Sequence, residues 1–176
     1  MPPLTTVAIW IAAPHILSQA PAAGCVTIVG MPAVIAILED DPGRIAEMRF
    51  CLAEALPNVE SVFFENAHDM IAWLEANLGD VILISLDHDL PLRRPDGKPI
   101  VCGDGRMVAD YLASLPPTCP LIVHSSNNDR APGMFFALKD AGWPVARVTP
   151  FDEHAWVRQV WKHQILKYLR DGWIIG

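Results

Sequence analysis

A chain of 176 residues that is 52% hydrophobic and only 19% charged is long enough for one domain with a sizeable core, which excludes a wholly disordered polymer. Its formal net charge of −7 excludes a broad non-specific nucleic-acid coat but leaves room for a local basic site. Cys25, Cys51, Cys102 and Cys119 show neither Cys-x-x-Cys pairing nor metal-ligand spacing, so reduced thiols in the cytoplasm are expected.

Residues 1–30 contain no Lys or Arg and so lack the positive start of a secretory signal. Pro14 and Pro21 interrupt their apolar stretch well short of the ~20 residues that span a bilayer, so no membrane partner is expected. These residues read as a poorly ordered extension or an over-long gene start, with the domain proper at 31–176.

From Ala33 onward strand and helix patterns alternate. Val34–Leu38 is a buried-strand run closed by Glu39-Asp40-Asp41-Pro42. Residues 43–56 carry Ile45, Met48, Leu52 and Ala55 at helical spacing, with Arg44, Glu47 and Glu54 on the opposite side. Val59–Phe64 is a second strand, and Asn66 can cap a helix that ends near Gly79. Val81–Leu86 is the third and most apolar strand, followed by a polar loop from Pro91 to Gly105 that carries Arg93, Arg94 and Lys98. A helix through Met107, Val108, Tyr111 and Leu112 stops at Pro116-Pro117, and Leu121–Val123 is the fourth strand. A helix marked by Met134, Phe135 and Leu138 ends at Gly142, Val145–Val148 is the fifth strand, and a last helix covers about 152–170. Such alternation predicts an α/β three-layer sandwich, a five-stranded parallel sheet of order 2-1-3-4-5. The clustering of Trp143, Trp156, Trp161 and Trp173 reads as packing.

Each polar constellation follows a strand: Glu39-Asp40-Asp41 after the first, Asp87-His88-Asp89 after the third, His124-Ser125-x-Asn127 after the fourth. In the 2-1-3-4-5 order these strand ends converge at the switch point, where open α/β sheets meet ligands. So many carboxylates require a compensating charge, and Mg²⁺, which needs only two or three of them, is the economical one. Asp40 and Asp87 are the preferred ligands, with Glu39 assisting. Asp41 and Asp89 fit equally well as helix-start anions. His88 and His124 can exchange protons near neutral pH, and Ser125 and Asn127 can hold phosphate oxygens or form turns. His15, His68, His154 and His163 lack such context.

The strand ends resemble receiver domains of two-component signalling. Glu39 and Asp40 stand at the receiver acid pair, Asp87 at the phosphoacceptor, Ser125 at the Ser/Thr position and Pro150-Phe151 at the proline-aromatic pair. Receivers carry a lysine before that proline; here it is Thr149. Leu-Asp87-His88-Asp89-Leu and His124-Ser125-x-Asn127 look instead like the divergent cyclic-phosphate processing receiver domains. That resemblance implies a hydrolase, a metal-assisted phosphodiesterase opening cyclic phosphate ends of RNA, as in RNA repair, or cyclic oligonucleotides. In this reading Glu39, Asp40 and Asp87 hold Mg²⁺ or Mn²⁺, His88, His124, Asp87 and Asp89 are catalytic, and Ser125 and Asn127 bind substrate. Two rivals remain: a phosphoacceptor receiver using Asp87, and an inactive interaction module with an exposed apolar patch around Trp156 and Trp173.

Overall fold

The computed structural model of the protein describes residues 33–90 and 101–171 in full, and the backbone of 16–19 and 26–29. Arg93, Arg94, Lys98 and Trp173 lie outside the described residues, as does most of the segment expected to be an extension. Within that segment β1 (Ile16–Gln19) and β2 (Val26–Val29) pair antiparallel as a sheet of their own.

The main sheet contains β3 (Val34–Leu38), β4 (Glu60–Phe64), β5 (Val81–Leu86), β6 (Leu121–His124) and β7 (Val145–Val148). Its order is β4-β3-β5-β6-β7 and every pairing is parallel. Counting only these strands, this is the 2-1-3-4-5 order expected from the sequence. It is buried on both faces, which explains why β3 and β5 read as unbroken apolar runs. Ile35, Ile37, Leu83 and Ile122 face one core with Met48 and Leu52 of α1 (Pro42–Ala55), Ile165 of α5 (Lys162–Arg170) and Trp161 just before it. Ala36, Leu38, Ile84, Leu86 and Val123 face the other, covered by α2 (Ala67–Asn77), α3 (Gly105–Ala113) and α4 (Ala131–Asp140).

The helix starts follow capping chemistry. Asp41 accepts from the Arg44 N–H at 2.8 Å with Pro42 at the first helical position, and Asn66 accepts from the His68 N–H at 2.8 Å. Two of the differences from the expected bounds bear on the site. β6 extends one residue further and takes in His124. The last helix starts later, because Asp152 and Glu153 both have positive φ, 45° and 48°, and a left-handed pair cannot open a right-handed helix. Its first regular stretch, Val157–Trp161, is wound with π spacing before α5 begins. That segment turns Trp161 under the middle of the sheet, where it is fully buried.

Candidate functional site

β3 and β5 are neighbours, so the acids that follow them share one rim. Glu39, Asp40 and Asp87 are buried, and each offers a carboxylate oxygen within 4.8 Å of the others. Three hard oxygen donors at this separation form a cluster that could bind a divalent ion, and their chemistry fits Mg²⁺ or Mn²⁺.

A cation that the sequence reading placed elsewhere already stands among them. Arg44 Nη1 lies 3.2 Å from Glu39 Oε2 and 3.0 Å from Asp87 Oδ2. The expectation that Arg44 belongs to the polar outer face of α1 is therefore corrected. Helix side chains lean back toward the N-terminus, and Arg44 sits in the first turn, so its long stem carries the guanidinium over the acid rim. One signal was available. A cation in a helix's first turn opposes the macrodipole, so it calls for a specific anionic partner.

Glu39 is the most enclosed acid. Its Oε1 accepts the N–H groups of Asp40 and Asp41 at 3.0 and 2.9 Å, while Oε2 faces Arg44 and, at 3.3 Å, His124 Nε2. The His124 contact is close, but too poorly aligned to count as a hydrogen bond. Burial pushes the Glu39 carboxyl up, yet His124, the Asp41 N–H and Arg44 together outweigh it and hold the group below its usual range. For Asp87 the balance falls the other way. Burial dominates, the Glu39 charge adds to it, and the carboxyl lies above its usual range despite His124, Arg44 and the His88 N–H. Both Asp87 oxygens are occupied, Oδ1 by the His88 N–H at 2.6 Å and Oδ2 by Arg44.

His124 ends a buried polar relay. Trp161 Nε1 donates to Ser85 Oγ at 2.9 Å, and Ser85 Oγ lies 2.8 Å from His124 Nδ1. Indole N–H only donates, so Ser85 Oγ keeps both a lone pair and its own proton to meet Nδ1, and the relay leaves Nε2 turned toward Glu39. Trp156 stacks on the ring with centroids 5.7 Å apart. His124 thus reaches the rim from inside the wall, with none of its surface exposed. Trp156 is equally buried, so the exposed patch expected of an interaction module is not formed at that residue.

His88 is held differently. Its Nδ1 is 2.8 Å from Asp89 Oδ1, and Asp89 Oδ2 accepts Asn127 Nδ2 at 3.0 Å. Burial raises the Asp89 carboxyl slightly, but Asn127 and His88 bring it below its usual range. A carboxylate can only accept, so Nδ1 donates and Nε2 is left for chemistry. Asn127 Oδ1 accepts the N–H groups of Asp129 and Arg130, and Ser125 Oγ accepts that of Asn127, so both residues form the turn that presents Asn127 to Asp89. α3 locks the same strand end: the Gly105 N–H donates to His88 O at 2.9 Å, and a Cβ on Gly105 would fall 1.9 Å from Asp87 O. Asp41 caps α1, with His154 Nε2 3.7 Å from its Oδ1.

The sequence profile of the cyclic-phosphate processing receiver domain matches residues 35–140, more than half of the chain. The chain belongs to that family. Among solved structures, this cyclic-phosphate processing receiver domain is similar to the phosphorylated cyanobacterial phytochrome response regulator RcpA. The TM-score is 0.62 at 22% identity, covering 84% of this chain and 100% of that one. The Mn²⁺-bound form of response regulator Rcp1 gives 0.57 at 17%, covering 82% and 99%. A response regulator receiver domain from Rhodospirillum rubrum gives 0.57 at 17%, covering 80% and 96%. At these identities the likeness establishes the receiver fold. No curated protein matches the chain. Among the described residues no helix is long and apolar enough to cross a membrane.

Proposed function

We propose that this cyclic-phosphate processing receiver domain is a phosphodiesterase that hydrolyses cyclic phosphate esters, either 2′,3′-cyclic ends of RNA or cyclic oligonucleotides, in the reducing cytoplasm. The observation that carries the reading is the Asn127–Asp89–His88 chain. An imidazole oriented by a carboxylate, itself oriented by an amide, is the arrangement of a general base, and it stands beside a carboxylate cluster fit for a cation.

The divisions of labour follow from the contacts. Glu39, Asp40 and Asp87 hold a divalent cation, Mg²⁺ or Mn²⁺, which when bound supplies positive charge to the phosphoryl oxygens. His88 Nε2 takes a proton from the attacking water as its oxygen bonds to phosphorus. The P–O bond to one ribose oxygen breaks, that oxygen takes the proton held on His88, and the products are a phosphomonoester and a free hydroxyl. Arg44, aimed at Asp87 Oδ2, meets the charge that grows on the phosphoryl oxygens. His124 acts through Glu39 and keeps that ligand turned to the rim.

A second reading has one observation in its favour: Arg44 gives Asp87 the cation that Thr149 does not, as phosphoacceptor signalling needs. Against it stands the Asn127–Asp89–His88 chain, for which a phosphoacceptor has no use. The test incubates the protein and MgCl₂ with an oligoribonucleotide ending in a 2′,3′-cyclic phosphate. Phosphomonoester formation by the wild type, lost in His88→Gln and Asp40→Asn, is the expected result. Stable labelling of Asp87 by acetyl phosphate with no turnover would overturn it in favour of the second reading.

A further inference from the structure

Beside the acid rim, between the starts of α3 and α4, lies a cavity of about 330 Å³ lined by His88, Asp104, Arg106, Asp129, Arg130 and Gly133. The roles just assigned use only His88 from this set. The cavity is within the size range of small-molecule sites. Its lining is chemically mixed in a specific way: the side chains that border it bring two guanidinium groups, two carboxylates and one imidazole.

Arg106 is built into place rather than adrift. Its Nε donates to Asp110 Oδ1 at 2.6 Å, one turn along α3, and Nη1 passes over Gly133, where a Cβ would stand only 3.0 Å away. A side chain on α4 at this point would crowd the guanidinium. Arg130 approaches from the other side, on the turn fixed by Asn127, and its charge reaches Asp89. Two guanidinium groups at one cavity attract an anion, and phosphate oxygens match their forked donors. Of the two acids, Asp104 is partly occupied in capping α3 by accepting the Met107 N–H at 3.0 Å. Carboxylates in a site with arginines suit a ligand that brings hydroxyls as well as phosphate, because free phosphate alone would be repelled by them. A ribonucleotide has both.

We infer that this cavity is a ribonucleotide subsite: Arg106 and Arg130 hold phosphate oxygens, Asp104 and Asp129 accept ribose hydroxyls, and His88 is the wall shared with the acid rim. The inference deepens the phosphodiesterase reading and rests on it for the identity of the substrate, but nucleotide binding can be measured without turnover. With the nucleotide here, its phosphate lies against His88, and the ribose hydroxyl released when a cyclic ester opens, which adenosine 3′-monophosphate also carries, meets the acids.

The test titrates the metal-free protein with adenosine 3′-monophosphate, adenosine and inorganic phosphate, following amide NMR shifts and heats of binding. Adenosine 3′-monophosphate is expected to shift Gly105, Arg106, Arg130 and Gly133 and to bind at least tenfold more tightly than either fragment. Arg106→Gln and Arg130→Gln are each expected to weaken it about tenfold, the loss of one charged hydrogen-bond pair. Gly133→Ala is the variant that keeps the fold, because alanine favours the helix, yet it pushes on Arg106 and is expected to weaken the nucleotide about threefold or more with no fall in melting temperature. Equal affinity for phosphate and nucleotide, or an affinity unmoved by all three variants, would overturn the subsite. Asp40→Asn separates the two readings. Tight nucleotide binding without turnover by the wild type sinks hydrolysis alone, whereas turnover lost in Asp40→Asn but unaffected by Arg106→Gln and Arg130→Gln sinks the subsite alone.

Discussion

Replacing Arg44 by methionine removes the charge that separates two buried carboxylates while keeping most of the apolar stem. Each guanidinium–carboxylate contact, at 3.2 Å to Glu39 and 3.0 Å to Asp87, represents about 5 kcal/mol of gross attraction at an effective dielectric of about 20. Desolvation of all three groups offsets much of this, and a quarter of the Arg44 side chain is exposed to screening solvent. We expect a net loss of about 2–3 kcal/mol, or roughly 5–10 °C in melting temperature for a domain of this size. The same geometry predicts rescue by metal. In the wild type an incoming divalent ion must share the rim with a guanidinium. In Arg44→Met it meets two uncompensated carboxylates, so saturating MgCl₂ raises the melting temperature more in the variant. Thermal unfolding at neutral pH, in EDTA and in MgCl₂, reads both effects. Equal melting of variant and wild type in EDTA, or equal stabilisation of the two by Mg²⁺, would refute the idea that Arg44 and a cation answer the same charge.

The remaining expectations concern other parts of the rim. In metal-free protein, Glu39 has a depressed native pKa, so its contribution to stability is fully present above about pH 4.5 and is lost as pH falls through the native value. Asp87 has a raised one, so its ionised form opposes folding at neutral pH, and Asp87→Asn should gain stability where Glu39→Gln loses it. Urea unfolding at neutral pH checks the opposite signs; a loss in both variants contradicts them. Ser85→Ala strands the Trp161 indole N–H and His124 Nδ1 in a dry core and should cost about 2–4 kcal/mol. Trp161→Phe added to it should then cost much less than Trp161→Phe alone, a non-additivity that a double-mutant cycle measures. Gly105→Ala drives a methyl group into the Asp87 carbonyl and should cost about 3 kcal/mol, with the α3 start displaced in a structure of the variant.

What could be read in the sequence was whatever depends on one element at a time. Buried parallel strands announce themselves as short apolar runs, and acids after β3 and β5 mark their carboxyl ends, so the sheet order brought Glu39, Asp40 and Asp87 together without further information. The residues that were missed act across elements. Arg44 was counted on the outer face because the helical pattern of α1 says which side is apolar, not how far a first-turn arginine reaches back. Ser85 lies inside an apolar strand where its hydroxyl looks incidental, and it acquires a role only because the π-wound segment turns Trp161 beneath it. His124 was placed at the right strand end, but only packing could show that Trp156 and Glu39 enclose it. The Arg106–Arg130 pair joins the starts of two helices that are separated by a strand, and no periodicity links them.

The most direct measurement is phosphorus NMR of a 2′,3′-cyclic mononucleotide mixed with the protein and MgCl₂. The geometry of His88, held by Asp89 and Asn127 beside three clustered carboxylates, predicts that the cyclic ester signal gives way to a phosphomonoester, and that it persists with His88→Gln. A cyclic ester that survives the wild-type protein with either Mg²⁺ or Mn²⁺ present would contradict the account.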